Sequence, residues 1–119
     1  MLHEPAESLW FAVFHVLLYL LNQSYMIILR IEHKVPSFDG WKKAFDSDPI
    51  NRQKSNVMQH RIYRPVDDPN YVIIDLEFDH VSDATATLAA LRNLWNDVEG
   101  KIIFDPQTRV IEMVERKVY

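Results

Sequence analysis

"RPVDDPNYVIIDLEFD", Arg64 to Asp79, opens as a turn and continues as a strand. Proline, aspartate and asparagine crowd its first half, where they supply turn chemistry. From Tyr71 onward the residues alternate. Val72, Ile74, Leu76 and Phe78 share one face; Tyr71, Ile73, Asp75, Glu77 and Asp79 share the other. The first set predicts a core. The second begins apolar and becomes acidic, so it either meets water or lines a polar pocket.

The neighbouring segments extend this strand into a fold. "VMQHRIYR", Val57 to Arg64, is rich in strand formers and predicts a β-hairpin with Tyr71–Asp79. Upstream, "MIILRIEHK", Met26 to Lys34, places Ile27, Leu29 and Ile31 opposite Ile28, Arg30 and Glu32. Pro36 ends that strand. Ser37 can cap a helix on which Phe38, Trp41 and Phe45 fall at helical spacing. Asp48-Pro49 stops it, because a residue before proline is pushed out of the α region. Downstream, Ser82 or Asp83 can cap a second helix with Ala84, Leu88, Leu91 and Trp95 on one stripe. Gly100 follows its end. Lys101–Gln107 reads as a connector and Thr108–Tyr119 as a last strand.

The order is β-α-β-β-α-β, the ferredoxin-like pattern of an α+β domain, over residues 26–119. In that topology the first and third strands are central neighbours, and both helices cover one sheet face. The bare face invites water or a second subunit. Residues 1–25 form a separate segment. "LWFAVFHVLLYLL", Leu9 to Leu21, predicts an apolar helix, with Glu4, Pro5 and Glu7 as helix-start chemistry. The run would rise about 20 Å, against a bilayer core of about 30 Å. No lysine or arginine precedes Met26. A secretory signal is thereby excluded and a membrane anchor disfavoured. The segment reads as a leader or as an oligomerisation helix buried against the domain or a second subunit.

Composition removes several function classes. With 119 residues the chain suffices for one domain and one sizeable core. Its net charge of −4 comes with scattered lysine and arginine, unlike the basic footprint of a nucleic-acid binder. The absence of cysteine rules out disulfides and thiolate chemistry, and fits a cytoplasmic protein. Two glycines cannot build a phosphate loop. No cofactor is expected. The five histidines show no metal-ligand spacing, so no metal is expected either.

The candidate chemistry lies on the bare face. Arg30 and Glu32 of the first strand meet Tyr71, Asp75 and Glu77 of the third if those strands are neighbours. Arg30 can then pair with Asp75 or Glu77 across the strands. In a functional arrangement Asp75 or Glu77 is the catalytic base, joined by mid-strand His60, while Arg30, Glu32 and Tyr71 bind substrate. In the structural alternative the same charges satisfy one another within a dimer interface. The face that His60 occupies is open. Trp41 and Trp95 read as core residues.

The hairpin "NVMQHRIYRPVDDPNYVIIDLEFD", Asn56 to Asp79, resembles the equivalent segment of the antibiotic-biosynthesis-monooxygenase-like superfamily. "FDGWKKAFD" and "ALRNLW", Ala90 to Trp95, are similar to its two helices. The resemblance covers roughly residues 26–119. It implies a dimeric α/β barrel, in which two sheets pack bare face to bare face and a small apolar ligand occupies a pocket. Members include cofactor-free oxygenases of aromatic polyketides, haem-degrading enzymes and proteins with no known activity. The haem-degrading branch uses a first-strand asparagine with a tryptophan and a later histidine. "IILRIEHK" contains no asparagine and no histidine follows Trp95, so that branch is disfavoured. The resemblance leaves two functions. One is cofactor-free oxygenation or isomerisation of a small apolar or aromatic compound. The other is a non-catalytic homodimeric binding or assembly protein.

Overall fold

The structure is a computed structural model and describes residues 4–22 and 26–119. Its elements are α1 (Glu4–Asn22), β1 (Ile27–Lys34), α2 (Phe38–Asp46), β2 (Gln59–Tyr63), β3 (Tyr71–Phe78), α3 (Val81–Val98) and β4 (Phe104–Glu112). The four strands form one antiparallel sheet in the order β2-β3-β1-β4. The first and third strands are therefore central neighbours, and the domain is the expected ferredoxin-like α+β fold.

Alternation divides the sheet faces. Ile27, Leu29 and Ile31 of β1 join Val72, Ile74, Leu76 and Phe78 of β3 in the core. Trp41 of α2 and Ala84 and Trp95 of α3 close the same core from above. Local signals explain the helix ends. Ser37 caps α2 by accepting from the Gly40 amide at 3.2 Å. Asp48, held before Pro49, takes a φ of 54° and leaves the right-handed helix. Gly100 follows the last residue of α3 and its cap with a φ of 82°, a conformation glycine enters without a Cβ penalty.

Three expectations shift. α3 begins at Val81 with His80 at the cap position, and no side chain bonds there. Neither Ser82 nor Asp83 caps it; both lie inside the first turn. β4 begins at Phe104, inside the expected connector, and stops at Glu112. Pro106 is tolerated because β4 is an edge strand, paired only with β1. One extra β4 residue is absorbed between the Glu32↔Gln107 and Lys34↔Phe104 pairs, and Asp105 beside it has a φ of 48°. β2 is also shorter than expected, because only Gln59–Tyr63 reach the ladder.

α1 confirms a helix at the N-terminal segment. Leu9, Trp10, Phe11, Val13, Phe14, Val16 and Leu17 are exposed, so the expected burial of these side chains against the chain's own domain is absent. No described helix is long and apolar enough to cross a membrane. His3 lies outside the described residues.

Candidate functional site

The acidic half of β3 sits in the middle of the sheet on the face without helices. Strand register places Arg61, Asp75, Arg30 and Arg109 in one row across all four strands. Arg30 donates from Nε to Asp75 Oδ1 at 2.8 Å and from Nη2 to Oδ2 at 2.9 Å. This fork is the strong, directional form of an ion pair. Glu77 is held by Arg61, whose Nε also donates to the Tyr63 hydroxyl at 2.9 Å. Asp75 and Glu77 are only 1% and 3% exposed, so burial makes these partners necessary.

The ion pairs hold both guanidiniums high. The bond to Asp75 raises the Arg30 guanidinium, against the opposing effect of burial. For Arg61, burial is the largest single influence and acts downward; the bonds to Glu77 and Tyr63 outweigh it and hold the group high. Further along the same face, the Tyr71 hydroxyl donates to Glu32 Oε1 at 2.7 Å. That bond, with burial and the Glu32 charge adding to it, pushes the phenol up to about 12.

Five of the six sequence candidates, Arg30, Glu32, Tyr71, Asp75 and Glu77, are thus gathered on one face. His60 is not among them. It pairs with Leu76 in the ladder and so faces the helix side. There it stacks edge-on against Phe45 at 5.0 Å. Burial lowers its pKa first, with help from the charges of Arg52 and Lys42. The open question of its face is settled, and it cannot share a proton path with Asp75 or Glu77 across the sheet.

A cavity of about 260 Å³ lies on the helix side, between the sheet and the two covering helices. Ile31, Ile74 and Leu76 form its floor; Trp41 and Phe45 of α2 and Leu91 and Trp95 of α3 form its walls. It is small for a ligand site, which typically measures about 300–1,000 Å³, and apolar as such sites are. None of the six candidates lines it. Two polar residues do so with clear chemical potential: His33 and Arg52.

His33 was missed because the histidines show no metal-ligand spacing and none of them, His33 included, was followed along its own strand face. The signal was present in β1: His33 continues the Ile27, Leu29, Ile31 face and is a polar residue on a core stripe. It is 3% exposed. Its Nδ1 lies 3.1 Å from the Lys34 carbonyl oxygen, which only an Nδ1–H can satisfy by donating. That bond assigns the tautomer and leaves Nε2 as an acceptor. Among the described residues, every sealed side-chain N or O atom has a hydrogen-bond partner, and Nε2 has no recorded bond. Nε2 therefore reaches accessible space. Burial lowers the His33 pKa, only partly offset by the backbone bond, and so favours the neutral imidazole.

The comparisons with known proteins bear on the frame around this cavity. No protein-family model matches the sequence, and no curated protein matches it significantly. Two solved structures described as "putative antibiotic biosynthesis monooxygenase" are similar. That of Nitrosomonas europaea is 17% identical, with a TM-score of 0.54 over 77% of this chain and 93% of its own. That of Bordetella bronchiseptica is 14% identical, with a TM-score of 0.55 over 80% and 99%. A dimeric ferredoxin-like protein from an uncultured marine organism is 8% identical, with a TM-score of 0.56 over 80% and 93%. The chain shares their fold. The resemblance in the hairpin and helices is thereby supported at the level of architecture.

The Arg30–Asp75 fork predicts a measurable coupling. Arg30→Met leaves a buried carboxylate short of donors and is expected to cost about 1–3 kcal/mol in urea denaturation. Asp75→Asn in that background is expected to recover much of the loss, because the two sites are in contact. A single mutant within about 0.5 kcal/mol of wild type would place the pair among ordinary surface contacts.

Proposed function

We propose that the chain is a monooxygenase-like domain that takes a small apolar or aromatic compound into the cavity between sheet and helices, where His33 serves as general base. The observation that carries this is an imidazole, its tautomer fixed by a backbone bond, among the residues lining an otherwise largely apolar cavity. His33 Nε2 accepts a proton from an activated C–H of the ligand and leaves a carbanion. Isomerisation returns that proton to another carbon. Cofactor-free oxygenation passes the electrons to dioxygen, so that a CH₂ group and O₂ become a carbonyl and water. The apolar walls raise the strength of each polar contact by excluding water.

The placement of Asp75 and Glu77 gives them a different part in this proposal. Held by Arg30 and Arg61, they organise the bare face, and two copies of the chain pack there as a homodimer. The ferredoxin-like neighbour described as dimeric supports this assembly. A cytoplasmic location is part of the same proposal and is supported by the cysteine-free sequence. The second reading, a binding or assembly module without catalysis, is favoured by one observation: Asp75, Glu77 and Glu32 are each already hydrogen-bonded on that face.

The two functions separate on proton exchange. In deuterated buffer, 2-tetralone is expected to exchange its benzylic C–H faster with the protein than without it, as read by NMR. His33→Gln is expected to reduce the acceleration by about a hundredfold, the scale of one general base. Binding without any acceleration would assign the assembly function instead. Light scattering of the full chain at micromolar concentration is expected to give the mass of a dimer; a monomer would remove the proposed interface.

A further inference from the structure

Arg52 is the one formally charged side chain among the residues lining the cavity. It belongs to the segment between α2 and β2, which its own bonds hold in shape. The Asn51 amide donates to the Asp48 carbonyl at 3.1 Å, the Ser55 hydroxyl to the Ile50 carbonyl at 2.9 Å, and the Val57 amide to the Arg52 carbonyl at 3.0 Å. Asp48, Asn51 and Asn56 have φ values of 54°, 51° and 66°, a region these short polar residues tolerate better than most. The sequence therefore builds a defined loop, and a defined loop can aim a side chain.

The guanidinium is only partly used by the chain. Arg52 Nη1 donates to the Phe45 carbonyl at 2.8 Å, capping the end of α2. The planar group lies over the Phe45 ring, 3.9 Å from its centroid. Asp48 Oδ1 stands 3.4 Å from Nη1, longer than a charge-assisted bond. An arginine carries five N–H donors. Capping α2 accounts for one of them, and no recorded bond within the described residues engages Nε or Nη2. No side-chain donor in the described residues is both sealed and unbonded, so these reach open space. The side chain as a whole is only 16% exposed.

Fixed, mostly buried donors beside apolar walls fit one kind of group. We infer that the cavity selects an apolar or aromatic ligand bearing a carboxylate, which Arg52 reads while the rings of Trp41 and Trp95 pack the apolar body. This rests on the proposal that the cavity is a ligand site, and adds the chemical class of the ligand. A planar carboxylate matches the remaining fork of donors.

The test compares two ligands of one shape, 2-naphthoate and the neutral 2-naphthamide, at pH 7.5. Quenching of Trp41 and Trp95 in a Trp10→Phe background reports binding. The carboxylate is expected to bind on the order of tenfold more tightly, the scale of one charge-assisted contact. Arg52→Met, which keeps the apolar stem, is expected to erase that preference and leave naphthamide binding unchanged. Arg52→Lys, which keeps the charge and loses the fork, is expected to retain a fraction of it. Equal affinities in the wild type, or a preference that survives Arg52→Met, would overturn the inference while the ligand site stands. Failure of both compounds to bind would overturn the ligand site and the inference together. If the Met and Lys variants do not fold, the wild-type comparison alone decides.

Discussion

The Arg30 guanidinium spans the two central strands and closes on Asp75 through two parallel hydrogen bonds. The rest of the sheet depends on that contact. β3 carries two acids on one face, two residues apart, in the middle of a four-stranded sheet. Left alone, they would be buried like charges at the least solvated position available. Arg30 from β1 and Arg61 from β2 approach from opposite sides, one to each acid. The order β2-β3-β1 is thus also an order of charge, cation, anion, cation. A one-residue slip in either pairing would send its arginine to the opposite face and strand the carboxylate it holds. The network therefore favours a register that the hydrophobic alternation also demands.

With the charges confined to one face, the other is free to be apolar. Trp41, Phe45 and Trp95 do not close completely over the floor of Ile31, Ile74 and Leu76, and the cavity is the space left. His33 is tolerated there because its Nδ1 has a backbone partner and its Nε2 is not sealed from accessible space. A histidine on the same strand face without the cavity would bury an unpaired acceptor, which costs free energy. Cavity and imidazole explain each other, and both follow from which residues of β1 face upward.

Much of this was legible in the chain. Period-two alternation placed the two central strands, and the polar residues on their second face named Arg30 as the partner of Asp75 or Glu77. Ser37, Asp48-Pro49 and Gly100 marked helix ends through chemistry that acts within a few residues. What escaped was set by distance. The partner of Glu77 is Arg61, sixteen residues upstream across the hairpin, and only the register of β2 reveals it. Pro106 and Asp105 disguised the start of β4, because an edge strand with a bulge accepts residues that a central strand rejects. The cavity escaped for the same reason: it is a mismatch of shape among side chains from β1, β3, α2, α3 and the loop at Arg52. No single segment announces such a mismatch. His33 could have been found by continuing the core stripe of β1 one step beyond Ile31 and asking why a titratable ring sits there.

The central claim is that His33 is a neutral base with its free nitrogen in the cavity. The most direct measurement is a nitrogen-15 NMR titration of the histidine side chains, with the signal of His33 assigned by its loss in His33→Gln. The account predicts the Nδ1–H tautomer at pH 7, protonation only below the ordinary value of about 6.5, and a shift of the Nε2 resonance when 2-tetralone is added. An imidazolium at pH 7, or an Nε2 resonance indifferent to a ligand that quenches Trp41 and Trp95, would contradict it.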